Sequence, residues 1–364
     1  MAKDSLEARR KLLRHFGMRA DGKDFWEKVP ISTKDDLRKA GIPDRYVEIR
    51  TTSGSTGKPL CIFCSKSSVD ARIRNGIRMF EKIGVGKGDT LVNLSLAGTR
   101  STFERICNEL EVALLPLGAP NTCRMGDALD VIIEFKPAVW YSTPSYALRL
   151  LDELRARNIK YVPDKIVVGG ERLLDSYIAR FMNFGTDLYN VMGTVEFSRV
   201  GISKKGKPKV LEAFDPGLYV ETAEGTDGTE LVVTDLENLA TPIIRYKTGD
   251  LVNVLERNGD GSVREFSYEG RTGDLVKLFG MFASKTDIEN RLSKYTDDFV
   301  VYIKTSGAGD YLQIVLPEKC REKANEIVGE LKHIRVEKET VFKQKVDVPV
   351  TDSFKSRHIV DARA

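Results

Sequence analysis

From about residue 66 to 195, long amphipathic stretches alternate with short β-branched or apolar runs. The amphipathic stretches predict helices over Ser68 to Ile83, Ser101 to Leu110, Asp127 to Phe135, Pro144 to Arg157 and Leu173 to Phe184. The runs between them predict strands over Thr90 to Leu94, Ala113 to Pro116, Ala138 to Tyr141, Lys165 to Val168 and Asp187 to Tyr189. Alternation of this kind is the pattern of βα units around a mostly parallel sheet. Beyond about residue 198, Gly-Lys-Pro, Asp-Pro-Gly, Thr-Asp-Gly and Asn-Gly-Asp-Gly clusters punctuate runs such as Glu230 to Thr234 and Ile243 to Tyr246, which predicts antiparallel strands and hairpins. Past Gly270 the pattern predicts a helix over Lys285 to Leu292, strands near Phe299 to Lys304 and Leu312 to Leu316, and a helix from Arg321 to Lys332. The expected class is α/β: a large N-terminal domain with a mostly parallel sheet plus an antiparallel β-rich portion, then a small α+β C-terminal domain.

Composition narrows this little but excludes several functions. A chain of 364 residues suits two domains better than one or three. With 41% hydrophobic and 30% charged residues it can build a core, and no window approaches the roughly 18 uninterrupted apolar residues of a spanning helix. The opening residues carry acids and lead into an Arg/Lys-rich amphipathic stretch without an apolar segment, so no secretory signal is expected and the expected compartment is the cytoplasm. A net charge of +4, evenly spread, gives no reason to expect nucleic acid or a membrane as partner. Five cysteines make no disulfide framework, and His15, His333 and His358 are too scattered for a histidine metal site or a Ser-His-Asp triad.

The candidate chemistry begins with Thr51, Thr52, Ser53, Gly54, Ser55, Thr56, Gly57, Lys58 and Pro59. Glycines let backbone N–H groups turn toward an anion, and the hydroxyls and Lys58 add donors around it, so such a loop can surround a polyphosphate. It is not a Walker A loop, because only two residues separate Gly54 from Gly57 where four are required. Its bland alternative is an exposed linker. Further on, Asp250 at a tight Gly turn suits a ribose diol, and Arg271 could donate to the same sugar or to a phosphate, although either segment alone reads as a surface hairpin. Cys61 and Cys64 have C-x-x-C spacing, but no second pair follows, and both are expected as buried strand cysteines.

Taken in order, these segments resemble the adenylate-forming superfamily of acyl-CoA synthetases, adenylation domains and luciferases, and within it the phenylacetate–CoA ligase branch. The resemblance spans most of the chain. It rests on the Val29 to Leu37 lead-in, the phosphate loop ending in Gly-Lys-Pro, Thr143-Pro144-Ser145-Tyr146, Gly169-Gly170-Glu171, Gly228 to Thr234, and Arg245-Tyr246-Lys247-Thr248-Gly249-Asp250. It implies that the loop holds the ATP phosphates, that Gly169, Gly170 and Glu171 lie beside the adenine, and that Asp250 and Arg271 contact the ribose. Met192-Gly193-Thr194-Val195-Glu196 matches the motif whose Glu holds Mg²⁺, with Met192 replacing an aromatic residue and Val195 a hydroxyl residue. Lys355 matches the catalytic lysine, although Phe354 stands where glycine is usual. Gly273 falls at the pivot between residues 1–272, the expected adenylation domain, and 273–364, a small mobile domain carrying Lys355. Arg100, Phe103, Trp140 and Tyr141 fall in the region of the acyl pocket, where the charges of Arg100 and Glu104 suit a phenyl ring poorly.

The implied activity is ATP- and Mg²⁺-dependent, AMP-forming activation of a carboxylic acid, aryl or small organic, followed by transfer to CoA. Two rivals stay open. One is an adenylyltransferase of the type that attaches AMP to the hydroxyl of a deazaflavin coenzyme in methanogens and stops there. The other is a degenerate nucleotide-binding protein, supported by the replacements near Glu196. The expected partner is a small-molecule acid; the oligomeric state is open, with a homodimer among the options.

Overall fold

A computed structural model describes residues 2–19, 21, 25–52, 59–95, 100–278, 281–306, 309–334, 336–349 and 358–363. The predicted alternation is present from Lys66 to Thr194, with element ends moved by one or two residues in most cases. Strands Ala113–Leu115, Thr90–Asn93, Val139–Ser142, Lys165–Gly169 and Asp187–Thr194 lie side by side in that order, all parallel. Leu91, Val139, Val167, Tyr189 and Val191 bury one face beneath helices Lys66–Lys82 and Arg100–Glu109. Val92, Trp140, Ile166, Val168 and Leu188 bury the other beneath Met125–Phe135, Pro144–Ala156 and Asp175–Phe184. Successive side chains of a strand point to opposite faces, so strands covered on both sides must be largely apolar, as these runs are apart from polar residues near their ends such as the buried Asn93 and Ser142.

The chain leaves Thr90–Asn93 toward the sheet edge at Ala113–Leu115, then returns across the other face to Val139–Ser142. The winding therefore reverses between these two neighbours, and in such sheets ligands settle outside the carboxyl ends of the strands at that reversal.

The sheet does not end at Thr194. It continues through six antiparallel strands to a total of eleven, in the order Ser198–Lys204, Lys207–Ala213, Val263–Arg271, Tyr246–Arg257, Gly228–Asp235 and Leu218–Gly225. The predicted strand at Ile243 to Tyr246 is corrected: only Tyr246 is in a strand, because the chain turns after Pro242 and Arg245 takes a left-handed φ of 46°. The Arg245 guanidinium donates to Glu221 at 3.0 Å and to the Val29 carbonyl at 2.7 Å. Ser32 bonds the backbone of Arg245 and Lys247, which attaches the Val29 to Leu37 lead-in to this turn.

The C-terminal portion has its own sheet of four strands, in the order Glu337–Lys343, Gly309–Pro317, Val300–Ser306 and Ile359–Asp361, and its own core with Lys285–Leu292 packed on it. The predicted helix from Arg321 to Lys332 is instead a 3₁₀ segment, Glu318–Lys323, followed by a short α-helix, Ala324–Gly329. The 3₁₀ geometry aligns residues three apart, and Arg321 bonds Glu318 at 3.0 Å.

Candidate functional site

Three of the quoted motifs stand at the carboxyl edge of the parallel strands, each at or just past the end of a strand. Val139–Ser142 runs into Thr143-Pro144, with Pro144 opening the next helix, where its missing N–H costs nothing. Lys165–Gly169 runs into Gly170, at φ +80°, and Glu171. The Glu171 carboxylate accepts from the Ser145 hydroxyl at 2.6 Å and its backbone N–H at 3.2 Å, joining two of these edges. At Gly169 an added Cβ would lie 2.8 Å from the Val191 carbonyl, so the adjoining strand demands a glycine.

The strand Asp187–Thr194 carries Met192, Gly193 and Thr194 to the same edge. Here the ladder to Ser198–Lys204 slips by one residue, Gly193 pairing with Arg199 and Met192 with Gly201. The slip brings backbone so close that a Cβ on Gly193 would meet the Ser198 carbonyl oxygen at 2.6 Å. Thr194 Oγ1 is buried without a hydrogen-bond partner, although its segment is only half-buried. A hydroxyl in that state costs stability unless something supplies the bond.

Glu196 follows in the turn and accepts from the Tyr246 hydroxyl at 3.3 Å. Burial, then the charge of Glu196, holds the Tyr246 phenol well above its usual range, so it remains a donor. Asp250, buried, faces Arg271 across the ladder at 3.2 Å, and Arg271 also donates to the Thr248 carbonyl at 3.1 Å. The tight turn expected at Asp250 is corrected: Gly249 and Asp250 lie inside the strand Tyr246–Arg257, where the ladder shifts register between the Val232–Lys247 and Glu230–Leu251 pairs, Gly249 takes φ +78°, and its N–H donates to Glu230 at 2.9 Å. Gly273 lies in the turn after Val263–Arg271, at φ +79°, donating to Asp227 at 3.1 Å.

The structure thus places Glu171, Thr194, Glu196 and Arg271 at strand ends or turns of one sheet, with Asp250 inside the strand that pairs with Arg271. Thr52 closes the base of the segment expected to surround phosphate: its N–H donates to the Leu60 carbonyl and its hydroxyl accepts from the Leu60 N–H, both at 3.0 Å. Ser53, Gly54, Ser55, Thr56, Gly57, Lys58 and Lys355 lie outside the described residues. Among the described residues no cluster of three metal ligands occurs. A single carboxylate such as Glu196 still fits Mg²⁺, which takes one or two carboxylates and completes its shell with substrate phosphates and water.

The expected acyl pocket of Arg100, Phe103, Trp140 and Tyr141 does not assemble as a set. Trp140 and Tyr141 are consecutive on one strand and so point to opposite faces. Trp140 is wholly buried among the helices of its face, its indole N–H donating to Tyr161 at 2.9 Å, and Arg100 is turned outward to Glu104 at 2.8 Å. Phe103 and Tyr141 do meet, edge to face with centroids 4.7 Å apart. Of the two strand cysteines, Cys64 is buried but Cys61 is exposed, because only alternate residues of Cys61–Cys64 face inward.

No family model matches the chain. The phenylacetate–coenzyme A ligase of Aromatoleum evansii is 25% identical over 294 residues, covering 73% of this chain and 66% of the relative. That of Escherichia coli (strain K12) is 25% identical over 310 residues, 74% of this chain and 66% of the relative. The chain therefore matches just under two thirds of the length of these relatives. In structure it is similar to a 2-hydroxyisobutyryl-CoA ligase in its postadenylation state with 2-HIB-AMP, with a TM-score of 0.76 at 18% identity over 97% of this chain and 85% of that one. The chain is similar in sequence to phenylacetate–CoA ligases and shares the fold of the 2-hydroxyisobutyryl-CoA ligase.

Three features of the site escape sequence reasoning. Tyr246 sits inside a quoted motif, but its bond to Glu196 joins positions fifty residues apart. Arg245, in the same motif, turns away from the site to hold the N-terminal segment. Arg199, discussed below, belongs to no motif.

Proposed function

We propose that this protein activates a carboxylic acid with ATP and passes the acyl group to coenzyme A. A carboxylate oxygen attacks the α-phosphorus, the bond to the β-phosphate breaks, and pyrophosphate leaves; the CoA thiolate then attacks the acyl carbon and AMP leaves. The observation that carries the reading is the meeting of Glu196–Tyr246 with the Asp250–Arg271 pair at one sheet, in a chain similar to phenylacetate–CoA ligases. Asp250 is assigned the ribose diol, with Arg271 orienting its carboxylate and donating beside it. Thr194 is assigned a phosphate oxygen, which would supply the bond its buried hydroxyl lacks. Glu196, oriented by Tyr246, would hold Mg²⁺, whose contribution when bound is to neutralise polyphosphate charge. Lys355 is assigned to stabilise charge developing between carboxylate and α-phosphate, a role that needs no proton transfer.

Pyrophosphate exchange into ATP, run across a panel of acids, tests the first half-reaction, and product analysis with and without CoA tests the second. Acid-dependent exchange with thioester and AMP formed only when CoA is present is expected. Exchange without any thioester would replace this reading by adenylyl transfer alone. No exchange with any acid, in protein that binds ATP, would favour a nucleotide-binding protein without turnover.

A further inference from the structure

Arg199 lies one strand over from the nucleotide motif. It pairs with Gly193 across the ladder and comes three residues after Glu196. The slip in that ladder, together with Ser198 at φ +81°, turns its side chain onto the sheet face that carries Phe103 and Tyr141. The guanidinium stands 5.7 Å from the Phe103 ring centroid and packs over Gly76, where an added Cβ would meet the Ile106 side chain first, at 2.1 Å, and Nη1 at 3.3 Å.

Arg199 is 7% exposed, and its Nε and Nη1 are buried without any hydrogen-bond partner. Among the described residues no carboxylate comes within ion-pair distance of it. Its neighbours add positive charge. Arg50, at the foot of the phosphate loop, is pushed down to about 10 by burial and then by Arg72, with Arg199 adding a smaller repulsion. Glu48 is bonded to Arg72 at 2.6 Å and reaches Arg50 only at 3.9 Å. A buried guanidinium with no acceptor is a cost that folding alone does not repay; removing the partner of a buried ion is among the most destabilising changes known. Since none of the described residues supplies the partner, the geometry points to a ligand group, and its place beside Phe103 and Tyr141, next to the nucleotide edge, is where the acyl part of a substrate would reach.

We propose that Arg199 is a specificity-determining residue that takes a second carboxylate, at the far end of a dicarboxylic acid, through its planar fork of N–H donors. This rests on the acid-activating reading for the identity of the substrate, but the site itself is a binding property. A monoacid such as phenylacetate would leave the guanidinium unpaired. Sites built to bond a polar group reject the analogue that lacks it strongly, by ~10⁴ or more in favourable cases.

The test is calorimetric binding of matched pairs, succinate against butyrate, glutarate against valerate and phthalate against benzoate, with and without a non-hydrolysable ATP analogue. Wild type should bind at least one diacid ~10²-fold or more better than its monoacid partner. Arg199→Leu should abolish that ratio, Arg199→Lys should keep part of it, and Arg199→Leu should melt no lower than wild type, because it removes an unpaired buried charge. The proposal is overturned if no diacid is preferred, if the preference survives Arg199→Leu, or if Arg199→Leu weakens both members of each pair equally, which would put the reacting carboxylate on Arg199. An Arg199-dependent diacid preference without pyrophosphate exchange would sink the acid-activating reading and leave the site standing.

Discussion

Asn238 offers a test of how the phosphate loop is held in place. The expected phosphate loop connects the two strands of a ribbon, Glu48–Thr51 paired with Cys61–Cys64, and an isolated two-stranded ribbon is marginal in water. Asn238, 1% exposed, fastens it to the large sheet: its Oδ1 accepts from Ser65 N–H at 3.2 Å and Ala240 N–H at 3.1 Å, and its Nδ2 donates to the Phe63 carbonyl at 3.0 Å. In Asn238→Ala the Phe63 carbonyl keeps the Thr241 hydroxyl at 2.9 Å, but the Ser65 and Ala240 N–H groups lose their acceptor. Each orphaned buried donor costs about 1–3 kcal/mol, and Ser65 is reachable by water, so the expected loss is about 3 kcal/mol. Because Leu60 and Thr52 close the loop on this ribbon, ATP affinity should fall as well, while the C-terminal core stays intact. Urea unfolding gives the stability change and calorimetry the ATP affinity. A loss below about 1 kcal/mol with unchanged ATP binding would refute the argument, since it would mean that water or a rearranged turn satisfies both donors at no cost.

Gly193→Ala places a methyl 2.6 Å from the Ser198 carbonyl, backbone against backbone with no flexible side chain to yield, so a loss of roughly 1–3 kcal/mol in urea unfolding is expected, and an unchanged midpoint would mean that the slipped ladder is not rigid. Burial pushes the Asp235 carboxyl up to about 7, so the native state keeps a proton that the unfolded chain has released above about 4; that contribution is present at low pH and lost as pH rises through 7. Asp235→Asn should therefore show a smaller fall in unfolding free energy between pH 5 and 8 than wild type, and an equal fall would remove Asp235 as its source. Asp250→Ala should weaken AMP binding by roughly 1.5–3 kcal/mol, the scale of a charged hydrogen bond, and unchanged AMP affinity by calorimetry would withdraw the ribose assignment.

The parallel half of the sheet was legible in the sequence because its helices and strands are local, and their periodicity is imposed by burial on known faces. The run Ile243 to Tyr246 misled because its apolar side chains are buried by a turn rather than by a ladder, and composition does not separate the two. The glycines at 169 and 193 were readable as motif letters, yet the reason for them, a neighbouring strand's carbonyl within 3 Å of any Cβ, exists only in the assembled sheet. Adjacent Trp140 and Tyr141 invite a shared pocket in one dimension, but the strand separates them to two cores. What the sequence determined by itself was the order of its elements and the motifs at their ends, since both depend on residues close together along the chain. Tertiary structure alone decided which distant groups meet: Tyr246 with Glu196, Asn238 with the ribbon under the expected phosphate loop, and Arg199 beside Phe103 with no hydrogen-bond partner among the described residues. These contacts depend on strand order and register, which bring together residues separated by tens to hundreds of positions and leave no local pattern in the sequence.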